Sequence, residues 1–420
     1  MNPFRQPSVV RRTAHSAAVH WAKRLRESSD RDSYAGQMVA ESSKLPGEHP
    51  PPPRFASGRA DEAAVAVIRH FGQRLLGLPF THLGGVARPR QSYLPLVGPW
   101  HYWWQAHYLD CLVDAGWREL EHQQHYDGGF GVSAGQLGAR LLRSIKWRNC
   151  FRYTNSYYDD MAWLALAVGR LDTLAATADK PRFRNRAAAR ALLPALESAH
   201  TADLGGGLFW NTKRDFKNTP ATAPAALHFA RIGQTDRAAA LLDWLDDKLY
   251  DGVSGLYQDG LRLVDGEPVL VPDIYSYNQG PVLAALLEVG RDADVQRAAD
   301  LIKAVAAGLT TDHDGLPVLR THGDGDGGLF TGILARYLAV AASSERLPAD
   351  AREQARMLVA NTAAAFWSGR RLENHRTWEV LVFSKDPALP AKTTYPPGER
   401  VQLSTQLQAW MTLEAAASVA

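Results

Sequence analysis

Asp159 and Asp160 stand side by side in Asn155-Ser156-Tyr157-Tyr158-Asp159-Asp160-Met161-Ala162-Trp163, where a run of good helix formers begins after an Asn/Ser pair suited to cap it. Adjacent carboxylates repel, so such a pair is tolerated only where one keeps a proton, a cation lies nearby, or water screens both. A protonated acid beside an ionised one is what glycoside hydrolysis requires. The competing explanation is purely structural. With Ser156 as cap, both residues occupy the first helical turn, where free amides and the dipole favour negative charge. The company argues for chemistry, because Tyr157, Tyr158 and Trp163 offer aromatic faces to the C–H surface of a sugar. Successive helical residues point about 100° apart, so the two carboxyls would enter one pocket from different angles. That spacing suits the roughly 5 to 5.5 Å of a retaining pair better than the wider gap an inverting pair needs for water.

The elements that must position this pair read as helices. From about residue 60 onward, apolar segments of 3.6 period alternate with turns rich in Gly, Asp or Pro. Candidate helices fall near 61–78, 101–116, 135–148, 157–173, 185–200, 220–232, 235–249, 278–290, 293–308, 327–343, 348–369 and 403–418. They form consecutive pairs without βαβ alternation, which predicts an all-α fold, an (α/α)6 barrel or six-hairpin toroid. The barrel is expected over 56–420. Residues 1–55 form an N-terminal extension, a tail or packing arm whose Pro50-Pro51-Pro52-Pro53 run reads as an extended spacer. Glycine-rich loops at 203–207, 251–255 and 323–328 either bring backbone close to a ligand or simply stop helices.

Composition narrows the function classes. Hydrophobic residues are 45% and charged residues 22%, ordinary globular usage, and a net charge of +3 over 420 residues implies no nucleic-acid partner. Cys111 and Cys150 are too few for a disulfide framework. No apolar stretch is long enough for a membrane span, and the N-terminus lacks a secretory apolar core, so a cytoplasmic monomer is expected. The histidines lack metal-ligand spacing. Asp324-Gly325-Asp326-Gly327 begins like a calcium loop, but the later ligands and terminal Glu are missing. No metal or cofactor is expected.

Trp100-His101-Tyr102-Trp103-Trp104 places Trp100, Trp103 and Trp104 on one helical face, a stripe that serves either as core or, through Trp103, as a cleft wall.

The Tyr-Tyr-Asp-Asp-Met-Ala-Trp run resembles the signature of glycoside hydrolase family 76, the endo-α-1,6-mannanases. Further segments follow in that family's order. Gly206-Gly207-Leu208-Phe209-Trp210 with Lys217-Asn218-Thr219-Pro220 resembles its Gly-Gly-aromatic-Trp and Lys-Asn segment, and Tyr275-Ser276-Tyr277-Asn278-Gln279-Gly280 resembles its Tyr-x-Tyr-Asn-Gln-Gly. Gly328-Leu329-Phe330-Thr331-Gly332-Ile333 and Leu403 to Trp410 resemble its last two inner helices. Two departures stand out: Thr331 sits where the family carries Lys, and Ala223 or Pro224 where a second Asn is expected. The resemblance implies an (α/α)6 barrel, cleavage of mannan-type glycans, Asp159 as nucleophile and Asp160 as general acid/base. Tyr277, Asn278, Gln279, Trp210, Trp103, Lys217, Asn218 and Phe330 are the substrate-binding residues it implies. A transglycosidase, a sugar epimerase or isomerase on the same barrel, and a non-catalytic glycan binder are the alternatives.

Overall fold

A computed structural model of the chain describes residues 53–89, 98–126, 128–375 and 378–420. Those residues hold twelve long helices: α1 (Pro53–Phe71), α2 (Tyr102–His122), α3 (Ala134–Arg148), α4 (Tyr158–Thr177), α5 (Phe183–Ala199), α6 (Thr219–Arg231), α7 (Thr235–Lys248), α8 (Ser276–Val289), α9 (Asp292–Gly308), α10 (Phe330–Ala342), α11 (Ala349–Ser368) and α12 (Leu403–Val419). Two kinds of helix alternate. In α8 nearly every residue from Ser276 to Leu287 is buried, whereas α9 buries a stripe, Asp294, Ala298, Leu301, Ile302 and Val305, at helical spacing. A helix apolar all round needs neighbours on every side, and a striped one needs a single neighbour and water. The first kind therefore lines the inside and the second the outside.

The even-numbered helices form the inner ring. Each packs on the next, from α2 through α4, α6, α8 and α10 to α12, which closes back on α2. Outside them, α3 lies on α2, α5 on α4, α7 on α6, α9 on α8, α11 on α10 and α1 on α12. This is the (α/α)6 toroid that the pairing predicts. Buried charge ties the ring together: Asp110 and Asp114 on α2 share Arg336 of α10, at 3.1 and 2.8 Å, and also pair with Arg170 of α4.

Three local expectations are corrected. The first helix runs from Pro53 to Phe71 rather than 61–78; the chain leaves it at Gly72, where a Cβ would lie 2.4 Å from the Ile68 carbonyl oxygen and only glycine fits. Pro53 is the first helical residue, a position where a missing N–H costs nothing; residues 1–52, most of the expected extension, lie outside the described residues. Trp100 precedes α2, so the tryptophan stripe is Trp103 and Trp104 alone. The loops also carry short antiparallel strands that helical periodicity does not announce. The largest set is β1 (Phe216–Asn218), β2 (Gly260–Val264) and β3 (Glu267–Val271), with Lys217 opposite Leu261 and Leu261 opposite Leu270. No helix among the described residues is long and apolar enough to cross a membrane.

The first turns of the inner helices gather at one end. Trp103 of α2 lies 6.2 Å from Tyr277 of α8 and 6.3 Å from Phe330 of α10, while Trp163 of α4 lies 6.5 Å from Tyr277. The N-terminal ends of α2, α4, α8 and α10 thus meet at one mouth, where the positive ends of their dipoles converge.

Candidate active site

Asp159 and Asp160 occupy the first turn of α4, both half-buried at this mouth. The cap differs from the one the sequence suggests. Tyr157 is the N-cap without a side-chain bond, and Ser156 instead accepts the Thr212 N–H through its carbonyl at 2.9 Å. Asn155, the residue best suited to cap, accepts the Tyr157 N–H at 2.9 Å and donates through Nδ2 to Asp160 Oδ2 at 2.5 Å. Its amide fixes one carboxyl of the pair. The other is held from a different loop. Trp210 Nε1 donates to Asp159 Oδ2 at 3.0 Å, and the Trp210 carbonyl accepts the Tyr158 N–H at 2.8 Å. Asp159 Oδ1 is buried with no hydrogen-bond partner.

Desolvation pushes the Asp159 carboxyl up to about 7, against the lowering effect of backbone amides and the Trp210 indole. The same cause, followed by the charge of Asp159, raises Asp160 well above the ordinary carboxylate range. A third carboxylate acts on both. Asp326, just before α10, accepts the indole N–H groups of Trp103 at 3.0 Å and Trp104 at 2.8 Å, and its charge adds to the upward shift of each member of the pair. The segment that begins like a calcium loop therefore splits its carboxylates, with Asp324 pairing with Lys385 at 3.2 Å. No cluster of metal-ligating side chains occurs among the described residues.

Aromatic faces wall the site. Tyr277 and Phe330 stack at 3.9 Å and 18°, and Trp103 and Trp163 lean toward the same tyrosine. Trp103, Trp210, Tyr277 and Phe330 are thereby gathered around the carboxylates. The other implied residues are placed differently. Lys217 is fully buried, and its Nζ lies within 3.2 Å of the carbonyls of Thr201, Asp203, Gly206 and Gly207 and of the Thr201 hydroxyl, which occupies all three N–H donors. Asn218 caps α6 by accepting the Ala221 N–H at 3.2 Å. Gln279 accepts from the Tyr257 N–H and donates to the Tyr257 and Tyr275 carbonyls, all within 3.0 Å. In the structure these three side chains hold loops and a helix end. Asn278 donates weakly to Asp259 at 3.4 Å and keeps a buried Oδ1 without a partner.

Two of the glycines in these loops are needed for close packing. A Cβ at Gly207, where φ is +70°, would lie 2.6 Å from the Trp244 ring, and one at Gly327 would lie 2.3 Å from the His322 carbonyl oxygen. Sequence reasoning weighs Asp326 only as a calcium-loop residue and Asn155 only as a helix cap, and it does not single out Asp259, whose carboxyl burial raises to about 6. Asn155 alone had a local signal, its place in the aspartate motif.

The sequence profile of glycosyl hydrolase family 76 matches residues 84–417, and the chain belongs to that family. It is a glycoside hydrolase by fold and by motif. Among solved structures it is similar to the GH76A α-1,6-mannanase of Salegentibacter sp. HEL1_6, at 26% identity and a TM-score of 0.71, over 87% of this chain and 100% of that one. An inactive variant of that enzyme, with two consecutive aspartates changed to asparagine, was solved in complex with α-1,6-mannotriose at the same similarity, 26% identity, TM-score 0.71 and the same coverage. A family 76 glycoside hydrolase from a bovine Bacteroides thetaiotaomicron strain shares the fold, at 17% identity and a TM-score of 0.66 over 87% of this chain and 77% of that one. A search of the curated proteins gave no match.

Proposed function

We propose that the chain is a retaining endo-glycosidase acting on α-1,6-linked mannan. The observation that carries the reading is the pair itself: two adjacent carboxyls at one helix N-terminus, each held by a different partner and each with its proton affinity raised. Asp159, anchored by the Trp210 indole, attacks the anomeric carbon. As that bond forms, the bond to the departing oxygen breaks, and the oxygen takes the Asp160 proton. Asp160, now a carboxylate, removes a proton from water, whose oxygen displaces Asp159 and restores both groups.

Their surroundings support this division of labour. Asp159 bears the indole and amide donors that favour its anion, so it is the one to ionise. Asp160 faces that anion and keeps the proton. The wall of Tyr277, Phe330 and Trp103 offers faces to the sugar ring. The choice of α-1,6-mannan rests on the similarity to the Salegentibacter mannanase. Asp159→Asn and Asp160→Asn should each abolish cleavage of linear α-1,6-mannan with an unchanged circular dichroism spectrum. Near-normal turnover in either variant defeats the proposal.

A further inference from the structure

The net charge of the chain hides a strong local imbalance. Residues 128–158 carry five cations, Arg140, Arg143, Lys146, Arg148 and Arg152, and no acidic residue. Residues 180–196 carry another five, Lys180, Arg182, Arg184, Arg186 and Arg190, again without an Asp or Glu. The two stretches supply helices α3 and α5, which pack side by side on the outer layer. Of these ten cations only Arg182 has an acidic partner among the described residues, Asp172. Burial and the neighbouring Arg143 hold the Arg184 guanidinium below its ordinary value, which places cations of the two helices against each other rather than against acids.

Exposed aromatics are concentrated on the same flank. Phe80 is 62% exposed, Phe151 71% and Phe183 60%, and Trp147 is exposed beside them. A solitary exposed apolar residue needs no explanation, but several interleaved with like charges do. The two kinds of residue are in direct contact: Arg140 lies 5.7 Å over Phe80, Arg143 5.9 Å over Trp147 and Arg184 4.6 Å over Phe183. The Phe80 loop adds Leu76 and Leu78, 46% and 42% exposed.

Nine cations without an acidic partner among the described residues repel one another, and rings left more than a third exposed forgo much of the burial that would stabilise the fold. A surface that is negative on its outside and apolar just beneath suits both residue types at once. Lys and Arg meet lipid phosphates, while Phe, Trp and Leu side chains enter the headgroup boundary. We propose that the α3/α5 flank, with the Phe80 loop, is a docking surface for an anionic lipid bilayer. The toroid mouth lies at the ends of the helices, so docking by the flank leaves the carboxylate pair open to a glycan.

The test is co-sedimentation of the full chain with vesicles of phosphatidylcholine alone and of phosphatidylcholine with phosphatidylglycerol at a 7:3 ratio. Binding to the anionic vesicles, weakened by salt and absent from the neutral ones, is expected. Arg143→Glu with Arg184→Glu should weaken it about tenfold or more, since each cation near such a surface contributes appreciably. Phe80→Ser with Phe183→Ser should weaken it while leaving its salt dependence in place. Thermal melting of each variant checks the fold, independently of any enzymatic reading. The proposal is overturned if the wild-type chain stays in the supernatant, if it binds both vesicles equally, if the charge reversals change nothing, or if only a soluble anionic polysaccharide is retained.

Discussion

Replacing Asp159 by Asn should stabilise the protein at alkaline pH while destroying its activity. The native state holds the Asp159 proton up to about 7, whereas the unfolded chain releases it near the ordinary 3.8. Between those values the native state binds more protons than the unfolded state, so stability falls as pH rises through the window and levels off above it. At about 1.4 kcal/mol per pKa unit the ceiling on this loss is about 4 kcal/mol. The pair is only half-buried, and water at the mouth reduces the realised effect to about 1–2 kcal/mol. Asparagine keeps the shape and carries no charge. Asp160 gains as well, because it no longer faces a neighbouring anion. In thermal melts at pH 8.5 the variant should exceed the wild type by about 2–3 °C for a chain of this size. At pH 4 the two should coincide. A variant less stable than wild type at pH 8.5, or a difference independent of pH, would refute the view that burial raises the proton affinity of this pair.

Trp210→Phe removes the only side-chain donor to Asp159 among the described residues, so the acidic limb of the kcat/KM profile should move to higher pH and kcat should fall about tenfold to a hundredfold; an unmoved limb counts against Asp159 as the group that must ionise. Arg336→Met leaves Asp110 and Asp114 short of a partner in the ring and should cost about 3–5 kcal/mol in urea unfolding. Lys217→Met should cost about 2–4 kcal/mol by stranding the carbonyls of the 201–207 loop, with KM for mannan unchanged in the folded fraction. A raised KM at full stability would return Lys217 to the substrate.

The toroid is legible because its helices fall into twelve apolar segments of 3.6 period, in consecutive pairs with no βαβ alternation. The aspartate pair was legible because the chemistry lies within one helical turn. The surroundings of Lys217 are not legible in the sequence because exposure is a tertiary matter; only folding closes the 201–207 carbonyls around it. The part Asp326 plays beside the pair is hidden for a related reason, since its partners Trp103 and Trp104 lie 223 and 222 residues away in the chain. Gln279 and Asn218 sit in segments that resemble the family, yet a family motif preserves scaffold and site alike, and the sequence alone does not separate the two. The short strands at the mouth pair through backbone over segments of two to five residues, too brief for a period-2 pattern to emerge.

The most direct test of the mechanism is proton NMR of a fresh digest of linear α-1,6-mannan, read before mutarotation. A covalent Asp159 intermediate inverts the anomeric carbon twice, so the first reducing ends formed should be α. Reducing ends that start as β would mean that water attacks in a single step, and the assignment of Asp159 as nucleophile would be wrong.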